Sequence, residues 1–367
     1  MVLTYDVGSL PFPDRVGTHL NRLTNHSFLE LARAEDASGR RRFEDTIVES
    51  FIDKVRVSIS VPNYPQFMDM NDMFLSRIDG IAKTSEGYKL VGAVSVPRKK
   101  LTIPGVAVIK QRAREIYERT GAPFNVKVCV TGPYTLASLF AAKEPRLFVE
   151  LGRIVSEFVT NNIFKEKVWR VALVAVDEPV FGLIDDPRLD YGHVGREELL
   201  TAWEGIFHEI KSKGVRSVIH LHETSNALFW QVKSLDIVES HVNDPLYSSS
   251  KTRALLEESD KFLKASVSVT DFDTLIRNKV SDGAAKQADI NQMVANAWTD
   301  IKKGATNPIQ FLESEKTISD RLRRILRQFG GRVAYAGPEC GLKSFPSYSS
   351  AIECLRRVTD VAQQLHG

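Results

Sequence analysis

The sequence predicts a single (β/α)8 barrel, and three observations predict it. Short runs of Val, Ile and Leu alternate with longer segments of helical period, the order that parallel strands and crossover helices produce. The runs are almost continuously apolar, as in Val171-Ala172-Leu173-Val174-Ala175-Val176, which suits strands covered by helices outside and filled by side chains within. Polar residues then gather where the runs end, and in a barrel those ends converge on one mouth.

The expected strands are Thr4–Gly8, Val55–Val61, Val126–Thr131, Val171–Asp177, Ser217–His222, Ile237–His241, Leu263–Val269 and Val333–Gly337. After the second, Tyr88–Val96 and Lys100–Val106 read as an inserted hairpin. The connections read as helices. Phe148, Leu151, Ile154, Val155 and Phe158 recur at helical spacing, as do Ile352, Leu355, Val358 and Leu365. Ile290, Met293, Val294 and Trp298 do the same within Asp289–Lys303. With no internal repeat, low-complexity segment or Pro- or Ser-rich linker, residues 1–367 are expected to form one domain.

Composition narrows the function. Lys plus Arg number 49 against 46 Asp plus Glu, a net charge of +3, so the clustered positive charge that nucleic-acid binding needs is absent. Arg40-Arg41-Arg42 reads as a solvated helix start. No apolar stretch approaches the ~20 residues of a membrane span, and the N-terminus shows neither a basic region nor an apolar signal core. Three cysteines, Cys129, Cys340 and Cys354, are too few and scattered for a disulfide framework. The expectation is a cytoplasmic protein with no membrane or nucleic-acid partner.

The residues at the strand ends carry chemistry: Gly8-Ser9, Asp177-Glu178, His220 and His222, Glu239 and His241, Asp271, and Glu339-Cys340. His220 and His222 alternate along a strand and so share a face. They are either a pair of satisfied core histidines or metal ligands. Cys340 follows a Gly-Pro-Glu turn, where a loop-borne thiol is placed for function, whereas Cys129 and Cys354 read as core. Asp177 and Glu178 either cap the following turn or form a fixed acceptor for a cation such as a substrate ammonium.

Six short motifs occur in order: Val7-Gly8-Ser9-Leu10-Pro11, Met70-Asn71-Asp72-Met73, Val130-Thr131-Gly132-Pro133-Tyr134-Thr135, Val176-Asp177-Glu178-Pro179, Ile219-His220-Leu221-His222 and Pro338-Glu339-Cys340-Gly341-Leu342-Lys343. Through them, over nearly its whole length, the chain resembles the C-terminal catalytic barrel of cobalamin-independent methionine synthase. It is also similar to the methylcobalamin:thiol methyltransferases of the uroporphyrinogen-decarboxylase-like superfamily. The resemblance implies methyl transfer to the thiol of homocysteine, giving methionine, with zinc holding the thiol as thiolate. His222 and Cys340 match zinc-ligand positions of the family. Thr224 stands where a cysteine ligand is expected, so the third ligand is His241, near the family's glutamate, or Glu239 two residues earlier. The resemblance further places Gly8, Ser9 and Asp177 on the amino-acid substrate, with Asp69 the nearest acid to a family glutamate. Asp271 stands about where the family has a proton-handling histidine, which makes it, with Asp177, a catalytic expectation.

On the donor side, Leu139 takes the place of a family tryptophan that flanks the pterin, and Leu183 that of a folate-side glutamate. The second, N-terminal barrel of the folate-dependent enzymes is not expected, because the first strand begins at Thr4. These departures favour a methyl-corrinoid (methylcobalamin) protein as donor. Two other readings stay open: a metal-free enzyme of the decarboxylase-like superfamily, and a non-catalytic barrel that binds an amino acid or a corrinoid protein.

Overall fold

The computed structural model describes residues 2–13, 37–281 and 287–365. The chain opens with strand β1, Leu3–Thr4, and helix α1, Ala37–Arg56. Helix α1 buries Phe43, Ile47 and Phe51, four residues apart, and leaves Arg40 and Arg41 in solvent. A short helix α2, Asp72–Leu75, precedes the antiparallel hairpin β2, Asp79–Thr84, and β3, Gly87–Ser95. Helices α3, Pro104–Gln111, and α4, Ala113–Thr120, lead to β4, Phe124–Thr131.

From there strands and helices alternate. Helices α5, Pro133–Ser138, and α6, Leu147–Asn162, are followed by β5, Trp169–Glu178. Helix α7, Val194–Ser212, leads to β6, Arg216–Leu221, and then β7, Ile237–Glu239. Helix α8, Ser250–Glu258, leads to β8, Phe262–Ser268. Helices α9, Phe272–Ser281, α10, Gln287–Lys302, and α11, Glu315–Phe329, precede β9, Val333–Pro338, and α12, Tyr348–Gln364, ends the fold. No helix among the described residues is long and apolar enough to cross a membrane.

Seven strands pair in parallel in the order β1-β9-β8-β7-β6-β5-β4. The gap between β1 and β4 is closed by an extended segment, in which Val61 bridges Tyr5 and Asn63 bridges Lys127. Val61 N–H donates to Thr4 O at 2.9 Å and Lys127 N–H to Pro62 O at 2.9 Å. The result is the (β/α)8 barrel that the sequence predicts, with one side reduced to single bridges. Pro62 has no N–H to extend the ladder.

Two expectations are corrected. The second strand is not Val55–Val61: Val55 and Arg56 belong to α1, whose helical period outweighs the β-branched run, and the extended segment falls at 61–63. The hairpin keeps the arm near Tyr88–Val96 but pairs it with the residues before it, 79–84. Residues 100–106 instead end a single helical turn and begin α3, with Pro104 in the first turn, where its missing N–H costs nothing. The other strands and the three expected helices stand within a few residues of their predicted bounds.

The barrel interior departs from the usual apolar filling. Lys54, Lys127 and Lys264 are each 0% exposed. Lys54 Nζ lies 2.6 Å from Asp6 Oδ2 and donates to the carbonyls of Gly8 and Asn63. Lys127 donates to the carbonyls of Asp6 and Val7, and Lys264 lies 2.7 Å from Glu239 Oε2. Charges at this depth persist only when paired and hydrogen-bonded.

Candidate functional site

The site grows out of one row of the barrel. Thr131, Asp177, His220 and Glu239 are successive register partners across β4, β5, β6 and β7. Parallel partners project to the same side, so the row points into the barrel near its C-terminal mouth. His222 lies two residues beyond His220, and His241 two beyond Glu239. Cys340 follows β9. Ligand atoms of His220, His222, His241 and Cys340 all lie within 4.8 Å of one another. Cys340 Sγ is 3.6 Å from His222 Nε2, and the His222 and His241 rings are 4.1 Å apart at their centroids.

Second-layer contacts hold the loops that carry these groups. Glu339, beside Cys340, accepts from Val242 N–H and Thr270 N–H, tying the His241 loop to its own. Asp244 accepts from Thr224 N–H and from its hydroxyl, which pins the His222 loop. Thr224 is thereby engaged and stands outside the ligand group.

Electrostatics follow from burial and proximity. Burial alone raises the Cys340 thiol, but the three imidazoles outweigh it and hold the thiol well below the usual range. Burial pulls His220 down, yet Glu239 and Cys340 together push it up to about 10. Burial raises Glu239, while Lys264 and His220 hold it well below the usual carboxylate range. Asp177 is pushed above that range by burial, against the pull of His220 and Lys127.

A cavity of about 240 Å³ opens above the cluster, lined by Ser9, Gln66, Asp69, Asp177, His222, Cys340 and Lys343 among others. Asp177 Oδ2 accepts from the Cys129 thiol, and Oδ1 is buried with no partner among the described residues. Gly8 turns the chain at φ 139°, and a Cβ there would sit 2.3 Å from Asn63 Nδ2. Gly341 is equally constrained, since its Cβ would meet Ser9 Oγ at 1.9 Å. The two loops are joined by Leu342 N–H donating to Ser9 O. Gly8→Ala should therefore cost about 1–3 kcal/mol of stability and weaken amino-acid binding. Urea unfolding and calorimetric titration check both; unchanged values would show that the loop tolerates a side chain.

The structure sorts the expected site residues. It brings together His222, His241 and Cys340 and adds His220, whose pairing with a carboxylate the sequence did not reveal. Glu239 is not a member of the group: it is 0% exposed and turned to Lys264 and His220. Asp271, the other catalytic expectation, stands outside the His/Cys group. It is exposed, and its Oδ1 accepts from the amides of Asp273 and Thr274 in the first turn of α9. Asp69 lines the cavity, but its Oδ1 accepts from the amides of Asn71 and Asp72. Gln66, Met68, Met70 and Lys343 also line the cavity; Met70 and Lys343 belong to two of the short motifs, whereas Gln66 and Met68 carry no signal beyond their place in the chain.

No protein-family model matches the chain, and no curated protein matches it. Solved structures do. The chain is similar to a B12-independent methionine synthase from Shewanella sp. W3-18-1 in complex with selenomethionine, with 16% identity and a TM-score of 0.61 over all of this chain and 98% of that one. It is also similar to a candidate vitamin-B12-independent methionine synthase from Listeria monocytogenes, with 14% identity and a TM-score of 0.58 over all of this chain and 99% of that one. The fold is the one these proteins share.

Proposed function

We propose that the chain is a methyltransferase that moves a methyl group onto the thiol of homocysteine to give methionine. One observation carries this reading: three imidazoles and a thiol converge, and His220, His222 and Cys340 of that group line a cavity whose wall presents a buried carboxylate oxygen without a partner among the described residues. The donor set suits zinc, for which imidazole and thiolate are preferred ligands. Among the described residues, both ring nitrogens of buried His220 and Nε2 of His241 have no hydrogen-bond partner, which suits side chains reserved for a metal. Zinc bound there supplies the positive charge that keeps a substrate thiol deprotonated near neutral pH.

The remaining work falls to this chain's own groups. Asp177 Oδ1 receives the substrate ammonium while Cys129 holds the other oxygen in place. Ser9, on the turn that Gly8 permits, receives the carboxylate. Held at both ends, the amino acid aims its sulfur at the methyl carbon, and positioning supplies most of the rate. The selenomethionine named for the Shewanella complex is the selenium analogue of the proposed product.

For the donor, the proposal is a methyl-corrinoid protein docked over the mouth. The neighbouring structures are named as B12-independent, which speaks for those proteins. Here, none of the described residues lining the cavity is a Phe, Tyr or Trp that could stack on a pterin, and Leu183, which the resemblance sets at the folate side, is 55% exposed. The thiolate sulfur takes the methyl carbon, and the pair of the broken cobalt–carbon bond stays on cobalt.

The test combines metal content with turnover. About one zinc per chain is expected, lost in Cys340→Ser, together with methionine formed from homocysteine and methylcobalamin. A wild-type protein that stays empty after zinc is supplied would sink the thiol-activating reading. Equal rates with methyltetrahydrofolate alone would sink only the corrinoid donor.

A further inference from the structure

We propose that Glu239, held by Lys264, is a positioning residue: it accepts the Nδ1–H of His220 and so keeps Nε2 of that imidazole bare and turned to the metal. This rests on the metal reading above and goes beyond it, because it assigns work to a pair that touches neither metal nor substrate.

The geometry is specific. His220 and Glu239 are register partners on adjacent strands, and His220 Nδ1 lies 3.2 Å from Glu239 Oε1, at ion-pair distance and within reach of a hydrogen bond that neither atom makes as the side chains stand. With Nδ1 facing the carboxylate, Nε2 is the nitrogen left for the ligand group. Glu239 Oε2 lies 2.7 Å from Lys264 Nζ. Lys264 also donates to Pro338 O at 2.5 Å and to Ser266 Oγ at 3.3 Å. Pro338 stands two residues before Cys340, so one ammonium braces both the acid behind His220 and the strand end that delivers the thiol.

The lysine has a chemical consequence. A carboxylate buried without a cation tends to take up a proton, and a protonated acid can donate as well as accept. Paired with Lys264, Glu239 is an acceptor only. With a metal on Nε2, the imidazole's one remaining proton sits on Nδ1, facing that acceptor. A carboxylate behind a ligating histidine fixes ring orientation and tautomer in this way, and losing it typically weakens metal binding about 10–100-fold.

Glu239→Gln gives a sharp test. Lys264 needs an acceptor, so the glutamine oxygen turns to it and the NH2 faces His220 Nδ1. The ring proton is then driven to Nε2, the atom the metal needs. Adding Lys264→Met frees the glutamine oxygen to face His220 again and removes the unpaired charge.

Zinc affinity is measured by competition with a chromophoric chelator on the full chain. Beside it, the His220 tautomer of the zinc-loaded wild type is read from two-bond 1H–15N NMR correlations. Expected are a proton on Nδ1 in the wild type, about 10–100-fold weaker zinc binding in Glu239→Gln, and recovery of at least part of that loss in Glu239→Gln/Lys264→Met. A wild-type proton on Nε2 overturns the proposal, as does a folded Glu239→Gln that binds zinc within about twofold of the wild type, or a folded double variant with no recovery. The wild-type NMR decides should the single variant fail to fold. A wild type that binds no zinc overturns the metal reading itself, so the two failures are distinguishable.

Discussion

Replacing Lys54 with methionine will cost the fold about 3–5 kcal/mol, the largest stability effect expected of a single change outside the apolar core. The lysine comes from the last turn of α1 and is 0% exposed. Its ammonium meets Asp6 Oδ2 at 2.6 Å and the carbonyls of Asn63 and Gly8 at 3.0 and 3.2 Å. Methionine fills a similar volume, so the loss is one of charge. Asp6 keeps its bond from Asn63 N–H at 2.8 Å but loses the ammonium paired with its carboxylate, and Lys127, which donates to its backbone carbonyl, is the buried cation that stays nearby. Gly8 O retains the amide of Gln66, so Asn63 O is the one carbonyl left without its donor. Asp6→Asn/Lys54→Met removes both charges and should cost less than Lys54→Met alone, because breaking a buried pair is worse than deleting it. Urea unfolding of the two variants decides: a double variant at least as unstable as the single would show that the carbonyl contacts, not the ion pair, hold α1 to the barrel.

That pair also shows where sequence reasoning ends. The barrel was legible because its strands are apolar on both faces and its strand ends carry polar residues, both local patterns. Cys340 and His222 were legible as candidate ligands because short motifs surround them. Lys54 was not, since a lysine in the last turn of an amphipathic helix reads as solvated. Only the closure of the barrel at Val61 and Asn63 shows that it points inward. Glu239 and His241 sit two residues apart, and the sequence left open which of them serves as ligand. The register of β6 with β7 sets Glu239 beside His220 and leaves His241 in the loop above. Asp271 was ambiguous for another reason: an acid after a strand end is also the residue that caps the next helix, and its Oδ1 makes those capping bonds.

Asp177→Asn should lower kcat/KM for homocysteine by about 30-fold to 1,000-fold, the range for losing one partner of a buried charge pair, while zinc content stays at the wild-type level. The variant is isosteric, and the new side-chain oxygen still accepts from the Cys129 thiol. What changes is the group facing the cavity: an amide N–H2 replaces the unpartnered Oδ1 and meets the substrate ammonium donor to donor. A thiol lacking the amino group, 4-mercaptobutanoate, separates this from general damage. It should be a poor substrate of the wild type and should lose little further in the variant, so the preference for homocysteine collapses. Equal losses for both thiols would instead place Asp177 in the support of His220, its register neighbour. The pH dependence has a defined sign. Burial raises Asp177 above the ordinary carboxylate range, and only its ionised form pairs with the ammonium. Homocysteine affinity of the wild type should therefore be full above that raised pKa and fall as pH drops through it, each tenfold loss corresponding to 1.4 kcal/mol. In Asp177→Asn the share of that acidic loss owed to this carboxylate should vanish, leaving only the loss that deprotonating the bound thiol imposes, which 4-mercaptobutanoate should show alike in both proteins.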